Sequence, residues 1–157
     1  EVNGISLQGS IDRVDINHEQ KLFSVIDYKL RGKNITREDI NERIALQLPL
    51  YLYAAKKLIE TELNEDYQPY SAEIYSLKLT KNDFGRKIKH NSNLRKLDTE
   101  DLIEINNQMI EMFIETINDS VEKIRKGEFY LSKLKKREDK VCNYCDFITV
   151  CRVKEII

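Results

Sequence analysis

The sequence has no tryptophan, two prolines, five glycines and three cysteines in 157 residues. So few prolines and glycines leave long stretches free to form regular helices and strands. Three cysteines are an odd number, and no basic-then-apolar leader marks secretion, which argues against a disulfide framework. No apolar run reaches the roughly 18 residues that a spanning helix needs. The expectation is a cytoplasmic protein with no membrane partner. Charge of one sign is not in excess either: 26 basic residues stand against 27 acidic ones. No global field therefore draws the chain to nucleic acid or to a membrane surface. There is no internal repeat or low-complexity segment, and nothing that fixes an oligomeric state. The chain begins at Glu1 rather than Met and is read as a piece of a longer protein.

What is present is an ordinary globular composition, 41% hydrophobic and 34% charged, of a length that fits one domain. Charge is uneven along it. From Lys78 to Lys96 there are seven basic residues and His90 against Asp83 alone, whereas Asp98 to Glu122 holds eight acids and no Lys or Arg. Such runs most often mark solvated faces. The functional alternative is a phosphate-binding loop carrying Lys81, Arg86, Lys87 and Lys89. A second basic cluster, Lys133 to Lys140, follows.

Periodicity sets out the elements. Asn3-Gly4 is a two-residue hairpin signal, and it implies a strand before it. Ile5 to Ile16 reads as a strand with Gly9 as a bulge or close-approach point. A polar turn at Asn17–Gln20 precedes a second strand, Leu22 to Leu30. Thr36 and Asp39 resemble a capping box. The helical pattern that follows runs to about Leu63 and is interrupted by Pro49, which predicts a kink or two abutting helices. Tyr70 to Leu79 reads as a third strand, Lys81 to Leu97 as a loop. Asp98 or Thr99 caps a long helix that Gly127 stops. Residues 1–130 form the expected core and 131–157 a cysteine-bearing tail of the same domain. The order predicts an α/β fold, a mixed central sheet flanked by helices.

Strand parity then isolates one constellation. Alternate residues of a strand share a face. Asp12 lies with Val14 and Ile16, and Asp27 and Lys29 lie with Phe23 and Val25. With an even-numbered turn between the strands, both sets face one way and Asp12 sits opposite or diagonal to Asp27. Carboxylates on an apolar face are costly unless paired or metal-bound, and two of them repel unless a cation compensates. Mg²⁺ does so, being hard and oxygen-preferring. Lys29 could orient an attacking water or stabilise charge on a scissile phosphate, which together is metal-assisted phosphodiester hydrolysis. Asp27-x-Lys29 alone carries no weight, because this composition produces roughly four to five acid-x-base triplets by chance. The combination carries it: an Asp on the preceding strand, apolar flanks, and Gln47 and Tyr51 four apart on one helical face. The plain alternative is a surface ion pair, as expected for Arg13 and Asp15 on the opposite face.

Gly9-Ser-Ile-Asp-Arg-Val-Asp15, Ile26-Asp-Tyr-Lys29 and Leu46-Gln-Leu-Pro-Leu-Tyr51 together resemble the PD-(D/E)XK nuclease superfamily. The branch they resemble most is the RecB/AddB-type nuclease domain of bacterial helicase–nuclease complexes. The resemblance implies a restriction-endonuclease-like core whose N-terminal part lies before Glu1. It implies Asp12, Asp27 and the Tyr28 carbonyl as ligands of Mg²⁺ or Mn²⁺, with Lys29 beside them and Gln47 and Tyr51 in the DNA-contacting motif. It implies DNA as substrate, as a single strand or a duplex end, and a helicase partner subunit. Cys142-x2-Cys145-x5-Cys151 resembles the three C-terminal cysteines of AddB-type subunits, which with a distant fourth hold a [4Fe–4S] cluster. With three thiolates, this chain is not expected to hold an intact cluster. Three reduced structural cysteines, or a zinc site completed by a histidine, are the other readings of the tail. His18 and His90 have no ligand-like spacing to it. A CRISPR-adaptation nuclease of the same superfamily and a non-catalytic DNA-binding or scaffold module are the alternatives for the whole.

Overall fold

The computed structural model describes residues 2, 4–30, 37–77, 86–89, 97–129, 134, 139 and 141–151. The chain divides into two compact units, Glu1–Glu122 and Lys123–Ile157.

The first unit is built on a four-stranded sheet in the order β1-β2-β3-β4. Its strands are β1 (Arg13–Asn17), β2 (Leu22–Lys29), β3 (Gln68–Ser76) and β4 (Arg86–Lys89). β1 and β2 are antiparallel across a four-residue turn, with Asn17 opposite Leu22 and Arg13 opposite Ile26. Asn17 shapes that turn, since its Oδ1 accepts the amides of Glu19 and Gln20. β2 and β3 run parallel, so a crossover must join them. The crossover holds two helices, α1 (Arg37–Asn41) and α2 (Gln47–Leu63). β3 and β4 are antiparallel. The fold is α/β with a mixed sheet, as the element order predicts.

Pro49 explains the break between α1 and α2. It is the third residue of α2, where an amide has no partner one turn back, so the missing N–H is harmless. The chain reverses before it, with Arg43 in the left-handed region at φ 62°. The amides of Ile44 and Ala45 both reach back to the Asp39 carbonyl. The reading as two abutting helices is the one realised. Thr36, half of the expected capping box, lies outside the described residues.

One side chain in two along β2 and β3 enters the core. Phe23 and Val25 meet Ala72 and Ile74, and over them pack Ile40, Leu48, Leu52, Ala55 and Ile59 from α1 and α2. The long helix α3 (Thr99–Arg125) adds Met109 and Ile110. Asp98 caps it, accepting the Asp101 amide at 2.9 Å. The register of β2 against β3 slips between Phe23 and Ser24, next to Pro69, which has no ladder donor to give. Asn106 of α3, fully buried, donates to the Pro69 and Tyr70 carbonyls at 3.1 and 2.9 Å and so stabilises the slipped segment.

Three expectations are corrected. The first strand does not run from Ile5: residues 6–12 form no strand, and β1 begins at Arg13. The Tyr28 amide, which a longer ladder would give to backbone, is taken by the Asp12 carboxylate instead. Gly9 is neither bulge nor close approach, for a Cβ placed there meets nothing within 4 Å. Residues 86–89 lie not in a loop but in β4, where they extend the sheet beside Glu73–Ser76. A short lysine-bearing edge strand is weakly marked in sequence and also resists unwanted edge pairing. Val2 and Ile5 exchange both backbone hydrogen bonds and Gly4 has φ 78°, as a tight turn there requires, while Asn3 lies outside the described residues.

In the second unit, the helix end is closed at Gly127, φ 70°, with the Gly127 amide on the Ile124 carbonyl and the Glu128 amide on that of Lys123. This is the paired bonding of a Schellman motif, which favours glycine because it alone enters that region without strain. Beyond it a 3-10 turn spans Cys142–Tyr144. No helix among the described residues is long and apolar enough to cross a membrane.

Candidate active site

The site is assembled at the end of β2 where it leaves the core. Asp27 occupies the next inward position after Val25, and its side chain is 3% exposed. Two groups reach it. Lys29, one inward position further and 40% exposed, brings Nζ to 3.0 Å from Oδ2. Gln47, the first residue of α2, donates from Nε2 to Oδ1 at 3.3 Å. The second hydrogen of the same amide goes to the Tyr51 hydroxyl at 2.9 Å. Gln47 and Tyr51 stand one helical turn apart, so a single amide can span both partners. The ion pair with Lys29 does not have hydrogen-bond alignment, and Oδ2 of Asp27 is left buried with no hydrogen-bond donor. Such an atom is costly unless a cation meets it.

Asp12 lies one residue before β1, where the pairing of Arg13 with Ile26, carried one step on, sets it opposite Asp27. It therefore shares the helix-bearing side of the ribbon, but unlike Asp27 it is exposed. Its Oδ2 accepts the Tyr28 amide hydrogen at 2.8 Å. In an extended strand the N–H and C=O of one residue project toward the same edge. The Tyr28 carbonyl thus points to the edge where Asp12 sits. The donors gathered here, two carboxylates and a carbonyl direction, are all oxygen, a set suited to a hard divalent cation rather than a soft one. Among the described residues no group of three or more His, Cys, Asp or Glu side chains forms a metal cage by itself.

The other face of the ribbon is separate. Arg13 pairs with Asp15 at 2.6 Å and donates to the Tyr28 hydroxyl at 3.3 Å. Asp15 first, then Tyr28, holds the Arg13 pKa above its ordinary value. Sequence reasoning missed a buried polar group on this face, Glu73, whose Oε1 lies 3.0 Å from Ser71 Oγ, itself 2.9 Å from Ser24 Oγ. With one hydrogen per hydroxyl, Ser24 donates to Ser71 and Ser71 to Glu73. An acid in a half-exposed strand pattern carries no signal of burial. Glu73 pairs with Ile26, Asp27 with Ile74. The two acids thus lie on opposite faces and cannot share an ion.

Lys81 and His90 lie outside the described residues. The backbone of Arg86, Lys87 and Lys89 is in β4, with Arg86 paired to Ser76 and Ser76 to Lys29. His18, in the turn as expected, has Nδ1 2.7 Å from the buried Tyr67 hydroxyl. Nearby Lys21 pairs with Glu65, which lowers the Glu65 pKa and raises its own. Cys142, Cys145 and Cys151 are free thiols. The Cys145 amide bonds the Cys142 carbonyl and the Cys151 amide that of Phe147, but the three thiols do not converge on a metal site. An iron–sulfur cluster takes four ligands, and this sequence holds three cysteines.

A profile of the PD-(D/E)XK nuclease superfamily matches residues 1–152. No curated protein and no solved structure matches the chain. Nucleases of this superfamily act on DNA and generally use divalent metals such as Mg²⁺. A match over nearly the whole length, on an α/β core with a mixed sheet, shows that the chain belongs to the PD-(D/E)XK nuclease superfamily.

Proposed function

We propose that the chain is the metal-dependent nuclease domain of an AddB-like helicase–nuclease subunit, hydrolysing DNA phosphodiester bonds as an exonuclease in double-strand-break repair. The observation that carries the catalytic part is the buried Asp27 carboxylate, with Lys29 at 3.0 Å from one oxygen and Gln47 at 3.3 Å from the other. A helicase partner would supply the DNA strand. The cysteines take no part in the chemistry.

Asp12, Asp27 and the Tyr28 carbonyl are the residues that would hold Mg²⁺ or Mn²⁺. When bound, the ion supplies Lewis acidity to the phosphate and favours deprotonation of the nucleophilic water. Lys29 has its ammonium at the same carboxylate and is part-exposed, so it can donate to the incoming water or to a phosphate oxygen and offset the charge that develops there. Gln47 holds Asp27 in place through one hydrogen and Tyr51 through the other. Tyr51, as acceptor from Gln47, keeps its own O–H for a substrate oxygen. In the hydrolysis one water oxygen bonds to phosphorus, one phosphorus–oxygen ester bond breaks, and the water proton passes to the leaving oxygen or to solvent.

The test is Mg²⁺-stimulated cleavage of labelled DNA by the full chain. Asp27→Asn and Lys29→Ala are each expected to slow it by roughly 10²–10³-fold or more, as loss of a group that stabilises transition-state charge does. Unchanged circular dichroism would show the fold retained. Cleavage at the parent rate in either variant overturns the assigned roles.

A further inference from the structure

β4 brings Arg86, Lys87 and Lys89 into the sheet that carries the carboxylate cluster. Its register separates them. Glu73 pairs with Lys89, Ile74 with Ile88, Tyr75 with Lys87 and Ser76 with Arg86. The same rows continue into β2, where Ile74 pairs with Asp27, Tyr75 with Tyr28 and Ser76 with Lys29. Paired residues share a face, and neighbours along a strand take opposite faces. Arg86 therefore holds a position in the row of Lys29, on the helix-bearing face, whereas Lys87 and Lys89 hold positions on the other. Resting on the nuclease reading above, we infer that Arg86 is a DNA-binding residue of this site, taking a phosphate that flanks the scissile one, and that Lys87 and Lys89 are not.

The register is the one that the hydrophobic pattern demands. Ile88 is the one apolar residue of β4, and it falls beside the buried Ile74. A slip by one residue would move it to the opposite face. The row also lies at the correct end of the sheet. β2 and β3 run parallel and end together at Lys29 and Ser76. β4, antiparallel to β3, begins there with Arg86. Open α/β sheets bind their ligands beyond the carboxyl ends of parallel strands, and the Lys29 side chain at that end is 40% exposed. Distance then selects a flanking phosphate. Strands lie about 4.8 Å apart, which sets the Arg86 backbone about 10 Å from that of Lys29. At roughly 3.4 Å per nucleotide, that separation is about three nucleotides. Residue type agrees as well. A guanidinium stays charged and can bond two phosphate oxygens at once. The row of Arg86 holds Ser76 and Lys29 and no acid, whereas Lys89 is in register with Glu73, the place of a cross-strand charge pair.

The experiment reads DNA binding without cleavage. The full chain in EDTA is titrated with a labelled DNA oligonucleotide of mixed sequence, by fluorescence anisotropy at several salt concentrations. Arg86→Gln is expected to lower affinity roughly five- to eightfold at about 0.1 M salt. It should also reduce the slope of log affinity against log salt by about 0.7–0.9, the counterion release of one phosphate. Arg86→Lys, which keeps the charge, should keep the slope. Lys87→Gln and Lys89→Gln should each stay within about twofold of the parent, as for screened charges that touch no phosphate. In the cleavage assay Arg86→Gln should raise KM and leave kcat unchanged, the pattern of a contact made equally in ground and transition states. Parent-like affinity and slope in Arg86→Gln overturns the inference. So does a loss in Lys87→Gln or Lys89→Gln as large as that in Arg86→Gln, or a slope lost in Arg86→Lys. A fall in kcat at unchanged KM overturns the flanking position. The two proposals fail separately. Cleavage at the parent rate in Asp27→Asn removes the catalytic assignment and leaves the contrast among the β4 variants in EDTA intact. Absence of that contrast removes Arg86 and leaves the roles of Asp27 and Lys29 standing.

Discussion

Two short constellations in this chain, the Asp12/Asp27/Lys29/Gln47/Tyr51 set and the three cysteines of the tail, are of similar clarity as sequence patterns, and they fare differently in three dimensions. The first sits on a strand and a helix. A strand repeats every two residues and a helix about every 3.6, so spacing in sequence becomes direction in space. Asp27 and Lys29 meet at 3.0 Å, and Gln47 reaches both Asp27 and Tyr51. The cysteines lie around one 3-10 turn and a run of turns. Irregular backbone does not convert spacing into direction, and the thiols remain apart. A motif is thus worth as much as the regularity of the backbone that carries it.

The sharpest way to break this comparison is to exchange the expected effects of the two regions. Asp27→Asn should remove cleavage, as set out above. Replacing all three cysteines by serine in this chain should leave cleavage at the parent rate and shift stability by less than about 0.5 kcal/mol, as for surface sites. A metal-dependent rise in melting temperature that the serine variant loses, seen after anaerobic reconstitution with iron and sulfide, would show that the thiols do converge.

A smaller effect tests the scaffold on which the first constellation rests. Asn106→Ala should cost about 1–3 kcal/mol in a urea titration, since two buried carbonyls at the β3 slip lose their donor. A cost near zero would mean that the slipped register needs no help from α3. The smallest belongs to the second unit. Gly127→Ala, at φ 70°, should destabilise by about 1 kcal/mol, the penalty for an L side chain in the left-handed region. No change in thermal melting would show that the helix end frays rather than closes.

The parts legible beforehand share one property, a local period. β2, β3, α2 and α3 fall close to where their patterns place them. Leu22, Tyr70 and Thr99 are a terminus or within two residues of one. The parts that were not legible depend on a partner distant in sequence. β1 starts at Arg13 because a side chain, Asp12, takes the amide that would have extended the ladder. β4 exists because β3 offers it an edge. Asn106 reads as one polar residue on an amphipathic helix until the β3 slip is seen beneath it.

Sequence by itself determined the direction of side chains within each element: that Asp27 and Lys29 share a face, and that Gln47 and Tyr51 do. Only the tertiary structure decided which of these faces meet. It seats the start of α2 over the end of β2, buries Asp27 while leaving Asp12 at the surface, and hides Glu73 on the opposite side. The physical reason is one of range. Backbone periodicity acts over a few residues, whereas register, crossover and burial depend on groups tens of residues apart competing for the same hydrogen bonds and the same apolar space.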